Sequence, residues 1–105
     1  MDGYVSERID TERLSEFLSL FFRGKYHKIA LDSLILLKKK SMSTTGLSQE
    51  LDIPRSSLSD VLLKMEKLGM IQREWRYSPW KISSQIGRKM QRYFEIWKQF
   101  YEGNP

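Results

Sequence analysis

From Leu14 onward, Phe17, Leu18, Phe21 and Phe22 recur at spacings of three and four, the period of a helix with one buried stripe. Asp10 stands before the stripe as an N-cap, with Thr11 and Glu12 in the first turn, and Gly24 closes it. A helix is therefore expected over residues 10–23. A second, over residues 26–39, follows from Ile29, Ala30, Leu34 and Leu37 on one face. Ser41 and Met42 mark a break and a short strand, after which Ser43 or Thr44 caps a short helix with Leu47 and Leu51 inward. Pro54 cannot sit inside a helix but suits its first turn, so the chain turns across Asp52 and Ile53. The next helix, residues 55–68, buries Leu58, Val61, Leu62, Met65 and Leu68 and stops at Gly69.

The period then changes. Residues 70–77 alternate as a strand, with Ile71, Arg73, Trp75 and Tyr77 on one side. Ser78-Pro79 is a turn, and the chain returns through Trp80, Lys81 and Ile82. Trp75, Tyr77 and Trp80 read as the core of this hairpin. Ser84 caps a last helix whose stripe is Ile86, Met90, Tyr93, Phe94, Trp97 and Tyr101. Four helices, a hairpin and a helix make a mainly α fold with a small β-hairpin, an α+β class. Without a repeat or low-complexity linker, residues 1–105 read as one domain: N-terminal helix 10–23, core 26–84, C-terminal helix 85–101.

Composition removes whole classes of chemistry. The 105 residues contain no cysteine, so disulfides, thiol nucleophiles and thiolate metal sites are excluded, and a reducing, cytoplasmic setting is expected. His27 is the one histidine, and a single imidazole does not build a metal site. The six glycines are scattered, and no Ser/His/acid set or paired carboxylates stand out, so neither catalysis nor a cofactor is expected. The longest apolar run is Leu34–Leu37, far short of a membrane span, and the acidic start lacks a signal-peptide profile.

Charge adds a direction. The formal net charge is +5, and it is unevenly spread: residues 22–40 carry six basic groups against one acidic, and residues 71–98 seven against two. Residues 41–70 carry three against four. Concentrated positive charge points to a polyanion, with nucleic acid ahead of membrane. Lys38, Lys39 and Lys40 also suit the negative end of a helix dipole, so this cluster has a purely structural reading as well.

Two short helices meeting across Leu51-Asp52-Ile53-Pro54, with a two-stranded ribbon after Gly69, make a helix-turn-helix candidate. The segment TTGLSQELDIPRSSLSDVLLKMEKLGMIQR, followed by WKISSQIGRKM, resembles winged-helix regulators of the MarR and ArsR type over about residues 29–90. A small capping residue before the first short helix is matched by Ser43 or Thr44, and the polar opening of a recognition helix by Arg55, Ser56, Ser57 and Ser59. Lys67-Leu68-Gly69-Met70-Ile71 matches part of the stop-and-strand pattern, and Ser84-Gln85-Ile86-Gly87 the start of the last helix. Asp60 departs from the pattern, standing where a basic residue is common.

The resemblance implies a winged helix-turn-helix that binds double-stranded DNA as a homodimer and regulates transcription. Helix 55–68 would lie in the major groove and a wing, residues 70–83, on the backbone or minor groove. Carried onto this sequence, the DNA-contacting positions are Thr44, Thr45, Pro54, Arg55, Ser56, Ser57, Ser59, Asp60, Lys64, Arg73, Arg76, Tyr77 and Lys81. Arg55 is the one long donor at the helix start and suits guanine; Asp60 suits cytosine N4. The terminal helices would pair through Leu14, Phe17, Leu18, Phe21, Met90, Phe94, Trp97 and Tyr101, placing two recognition helices about 34 Å apart. A small-molecule effector is an open partner that no residue names. Two rival readings share the fold: an architectural, weakly specific DNA binder, and a protein-interaction module. Salt dependence and competition with random DNA separate them.

Overall fold

The computed structural model describes residues 11–103. Five helices and one two-stranded antiparallel sheet form an α+β winged-helix arrangement among them: α1 (residues 11–18), α2 (Gly24–Lys39), α3 (Thr44–Leu51), α4 (Arg55–Leu68), β1 (Ile71–Gln72), β2 (Lys81–Ile82) and α5 (Gln85–Glu102). The expected N-cap Asp10 lies outside the described residues.

Of the stripe expected along α1, Leu18 is buried and Leu14 half-buried, whereas Phe17 is exposed; the helix also ends earlier, leaving Phe21 and Phe22 in the turn after it. The Ser19 hydroxyl donates to the Glu16 carbonyl at 2.5 Å, and Leu20 N–H and Phe21 N–H bond three residues back. A side chain competing with the ladder and a tightened last turn close the helix at residue 18. The turn then lays Phe22 into the core. Gly24, with φ +55°, opens α2 instead of closing α1, because a left-handed φ lets the chain reverse there.

One core unites the elements. Leu18 and Phe22 meet Ile29, Ala30, Leu34 and Leu37 of α2, Leu47 of α3, and Leu58, Val61, Leu62 and Met65 of α4. Met70, Ile71 and Trp80 close it from the hairpin. Ile71 pairs with Ile82 and Gln72 with Lys81. Met42 adds a third rung: its N–H and carbonyl exchange hydrogen bonds with Trp80 at 3.2 and 2.8 Å. The expected short strand at Ser41-Met42 is therefore a single bridge.

The strand expected over residues 70–77 stops after Gln72. Ser78 is the cause. Its hydroxyl accepts from the Trp75 N–H and donates to the Trp75 carbonyl, and its own N–H bonds that carbonyl, so Trp75–Ser78 closes a turn. The hairpin aromatics consequently part company: Trp80 is 1 % exposed, whereas Trp75 and Tyr77 are 62 % and 74 % exposed. Of these aromatics, only Trp80 is hairpin core.

Gly69 carries two duties. Its φ of +89° ends α4, and a Cβ built on it would stand 2.7 Å from the Ile86 backbone nitrogen at the start of α5. Gly69→Ala is expected to cost about 2–4 kcal/mol from the left-handed conformation and the clash together. Urea unfolding with an unchanged slope and a lower midpoint would show it. A midpoint equal to the wild type's would contradict the close approach.

Ser84 precedes α5 but makes no side-chain cap; the Ser83 hydroxyl accepts from Gln85 N–H instead, at 3.1 Å. The start of α5 is held by Ile86 against the core and by Lys89, whose Nζ donates to the Lys67 carbonyl at 3.0 Å. From residue 91 to 103 every residue is exposed. Among the described residues no helix is long and apolar enough to cross a membrane.

Candidate nucleic-acid interface

The turn between α3 and α4 is built locally. Ser43 caps α3 by accepting from Gly46 N–H at 3.0 Å, which decides between the two capping residues. Asp52 takes a left-handed conformation, φ 54°, and the Ser48 hydroxyl donates to the Ile53 carbonyl at 2.6 Å. Asp is among the few residues that tolerate this conformation, and the serine satisfies the turn's carbonyl. Pro54 is the N-cap of α4, one position before its first turn, and leaves Arg55 as the first helical residue.

Helix α4 has three faces. Leu58, Val61, Leu62 and Met65 are buried. Arg55, Ser59 and Leu63, one turn apart from each other, line a groove of about 400 Å³ whose far wall is the wing. Asp60 and Lys64 turn the other way, to a cleft of about 340 Å³ beside Phe21, Phe22, Arg23 and Tyr26.

The groove gathers residues far apart in sequence. Thr44 and Thr45 come from the start of α3, Arg55 and Ser59 from α4, and Arg73, Arg76 and Tyr77 from the wing. Trp80 is the joint that holds these parts. Its indole N–H donates to the Thr44 hydroxyl at 3.0 Å, and its ring carries the Arg73 guanidinium at 4.0 Å. Arg73 also donates to the Arg76 carbonyl at 2.5 Å, so it braces the wing. Arg76 is exposed at the tip, 5.6 Å from the Tyr77 ring centre.

Other expected contacts stand outside the groove. Ser56 is exposed on α4, Ser57 is half-buried, and Lys81 faces Glu74 at 4.0 Å, an exposed pair that holds it weakly. Lys64 donates to the Phe21 carbonyl and lies 4.9 Å from the Phe22 ring, which ties α4 to the α1–α2 turn. Leu63 was not singled out by the sequence pattern because it falls off the buried stripe. Its spacing of eight from Arg55 is the signal that places it in the groove.

The terminal-helix residues also separate. Leu18 is 0 % exposed and faces the chain's own core, so it offers nothing to a partner. Exposed Phe17 of α1 and half-buried Phe21 of the turn after it form an edge-on pair at 5.4 Å, and Phe21 packs partly against the chain's own core. On α5, Phe94, Trp97 and Tyr101 are exposed; Met90 is half-buried. Phe100 joins them, with its ring 5.3 Å from that of Trp97.

A helix-turn-helix, a basic hairpin beside its second helix and a groove between them define a winged helix-turn-helix protein. The family model of the sugar-specific transcriptional regulator TrmB matches residues 34–95, and the chain belongs to that family. The resemblance to MarR and ArsR regulators thus holds for the winged-helix class, while the family is TrmB. The protein is a DNA-binding transcription regulator. No curated protein and no solved structure matches it.

Proposed function

We propose that this regulator binds double-stranded DNA sequence-specifically as a homodimer, with α4 in the major groove and the wing on the backbone or in the minor groove. The observation that carries the reading is the groove itself, which sets the polar opening of α4 against two wing arginines. In this arrangement Arg55 donates to guanine and Ser59 to a base edge or phosphate. Ser56, exposed on the same helix, and Thr45, at the start of α3, serve the flanking backbone. Arg76 extends from the wing tip to phosphate or into a narrow minor groove, and Arg73 holds the wing at the required angle. The apolar face of α5 supplies the two-fold contact that doubles the site.

Selection of bound sequences from a random duplex pool tests binding, specificity and half-site spacing together. Two substitutions then divide the roles. Arg55→Ala is expected to relax preference at one position of each half-site and to cost about 1–3 kcal/mol on the selected sequence alone. Arg76→Ala is expected to weaken all sequences alike and to make the log affinity against log salt slope shallower by about one unit. Equal losses on selected and random DNA for Arg55→Ala would reassign it to phosphate.

A weakly specific, architectural binder is the second reading. It is favoured by Asp60, an exposed carboxylate on the recognition helix, and by the engagement of Lys64 with Phe21. Selection returning no common sequence, with binding still steeply salt-dependent, would establish it.

A further inference from the structure

We propose that Leu63 is a base-reading residue, seating the C5-methyl group of a thymine in the major groove. The assignment rests on the DNA-binding reading above and adds a residue and a base to it. The core face of α4 is complete without Leu63: Leu62 beside it is 0 % exposed, whereas Leu63 is 49 % exposed. It stands one turn after Ser59 and two after Arg55, in the row of α4 that lines the groove. It is the large exposed hydrophobic of a helix whose remaining exposed residues are Arg55, Ser56, Asp60, Lys64 and Lys67.

The surroundings decide what it meets. The facing wall of the groove carries Arg73 and Arg76, so the groove as a whole suits an anionic surface rather than an apolar protein partner. On duplex DNA the apolar feature of the major groove is the thymine methyl group. Against cytosine, the same leucine would strip water from the N4 donor and return no hydrogen bond. Leu63 therefore favours thymine over cytosine at one position, and Arg55 two turns earlier reads a separate base.

The test uses deoxyuridine, which lacks only that methyl group. In the sequence selected by the wild-type protein, each thymine is replaced by deoxyuridine in turn. Affinity is then measured for the wild type and for Leu63→Ala, with a thermal melt confirming that the variant is folded. One thymine of each half-site is expected to lose about fourfold for the wild type, the worth of one buried methyl group. The same replacement leaves Leu63→Ala unaffected. A duplex in which no thymine shows the loss, or a loss that persists in Leu63→Ala, overturns the assignment while leaving DNA binding intact. Failure of the wild type to select any duplex overturns both.

Discussion

Phe94→Asp combined with Trp97→Asp is expected to leave the protein monomeric and to lower its affinity for a two-half-site duplex by about a hundredfold or more. The reason lies along α5. Ile86, Met90, Tyr93, Trp97 and Phe100 follow one another at alternating spacings of four and three, the register of a helix that pairs with another helix. Phe94 and Tyr101 widen this seam, and Ile96 flanks it. Beyond Met90 none of these side chains is covered by the chain itself. Such a continuous apolar surface marks an interaction site. Two carboxylates placed in that seam would have to be buried without partners, which a dry contact does not tolerate. Because Phe94 and Trp97 make no contribution to the core, the substitutions spare the winged-helix unit. Separated half-sites then bind independently, and the gain from effective concentration disappears. Sedimentation equilibrium measures the first effect and duplex titration the second. Wild-type protein sedimenting as a monomer at tens of micromolar (a rough working range for an obligate pair) would remove the two-fold reading.

Removal of the Trp80 side chain is expected to have the largest effect on stability. Trp80→Ala is expected to cost about 3–5 kcal/mol, the usual range for emptying a buried aromatic site. That is a large share of the stability of a domain this size, and the melting temperature should fall by more than about 10 °C. Trp80 closes the core from the hairpin side, supports Arg73 on its ring and donates to Thr44. Trp80→Phe keeps most of the packing and loses the indole N–H, so about 1 kcal/mol is expected, with Thr44 at the rim of the groove still able to bond water. The pair of variants separates packing from hydrogen bonding. Calorimetry supplies the ordering, and Trp80→Ala melting within a few degrees of the wild type would show that the wing is not anchored through this residue. A folded Trp80→Phe should keep its salt slope, because Arg76 at the tip is not displaced.

Much of α4 is legible in the sequence. Pro54 and Gly69 bracket α4 because one lacks the N–H a helix interior needs and the other tolerates a left-handed φ; both facts are local. The stripe Leu58, Val61, Leu62 and Met65 is likewise a matter of period alone, and all four are buried. The candidate interface was less legible, because a groove is a relation between elements. The family resemblance put Thr44, Ser59 and Tyr77 in one contacting set, but it put Lys64 there too, and nothing in the chain order says that Lys64 is drawn instead to a carbonyl 43 residues away.

Hydrophobic period, caps and breakers determined which segments are helical, where α2, α3 and α4 stop and that a hairpin separates the fourth helix from the fifth, since these follow from steric preferences within a few residues; the end of α1 at residue 18 was not among them. Charge counting located the second basic block, and the structure divides that block between the wing and the last helix. Tertiary structure decided which aromatics are core. Trp75 and Trp80 lie five residues apart in one hairpin, yet Ser78 turns the first outward, while the bridge to Met42 and the Thr44 hydroxyl draw the second inward. It also decided that Leu18 belongs to the core, that Arg73 braces the wing where Arg76 extends from it, and that Leu63 faces the groove. Each of these depends on partners distant in sequence, and periodicity carries no information about which distant surface a side chain meets.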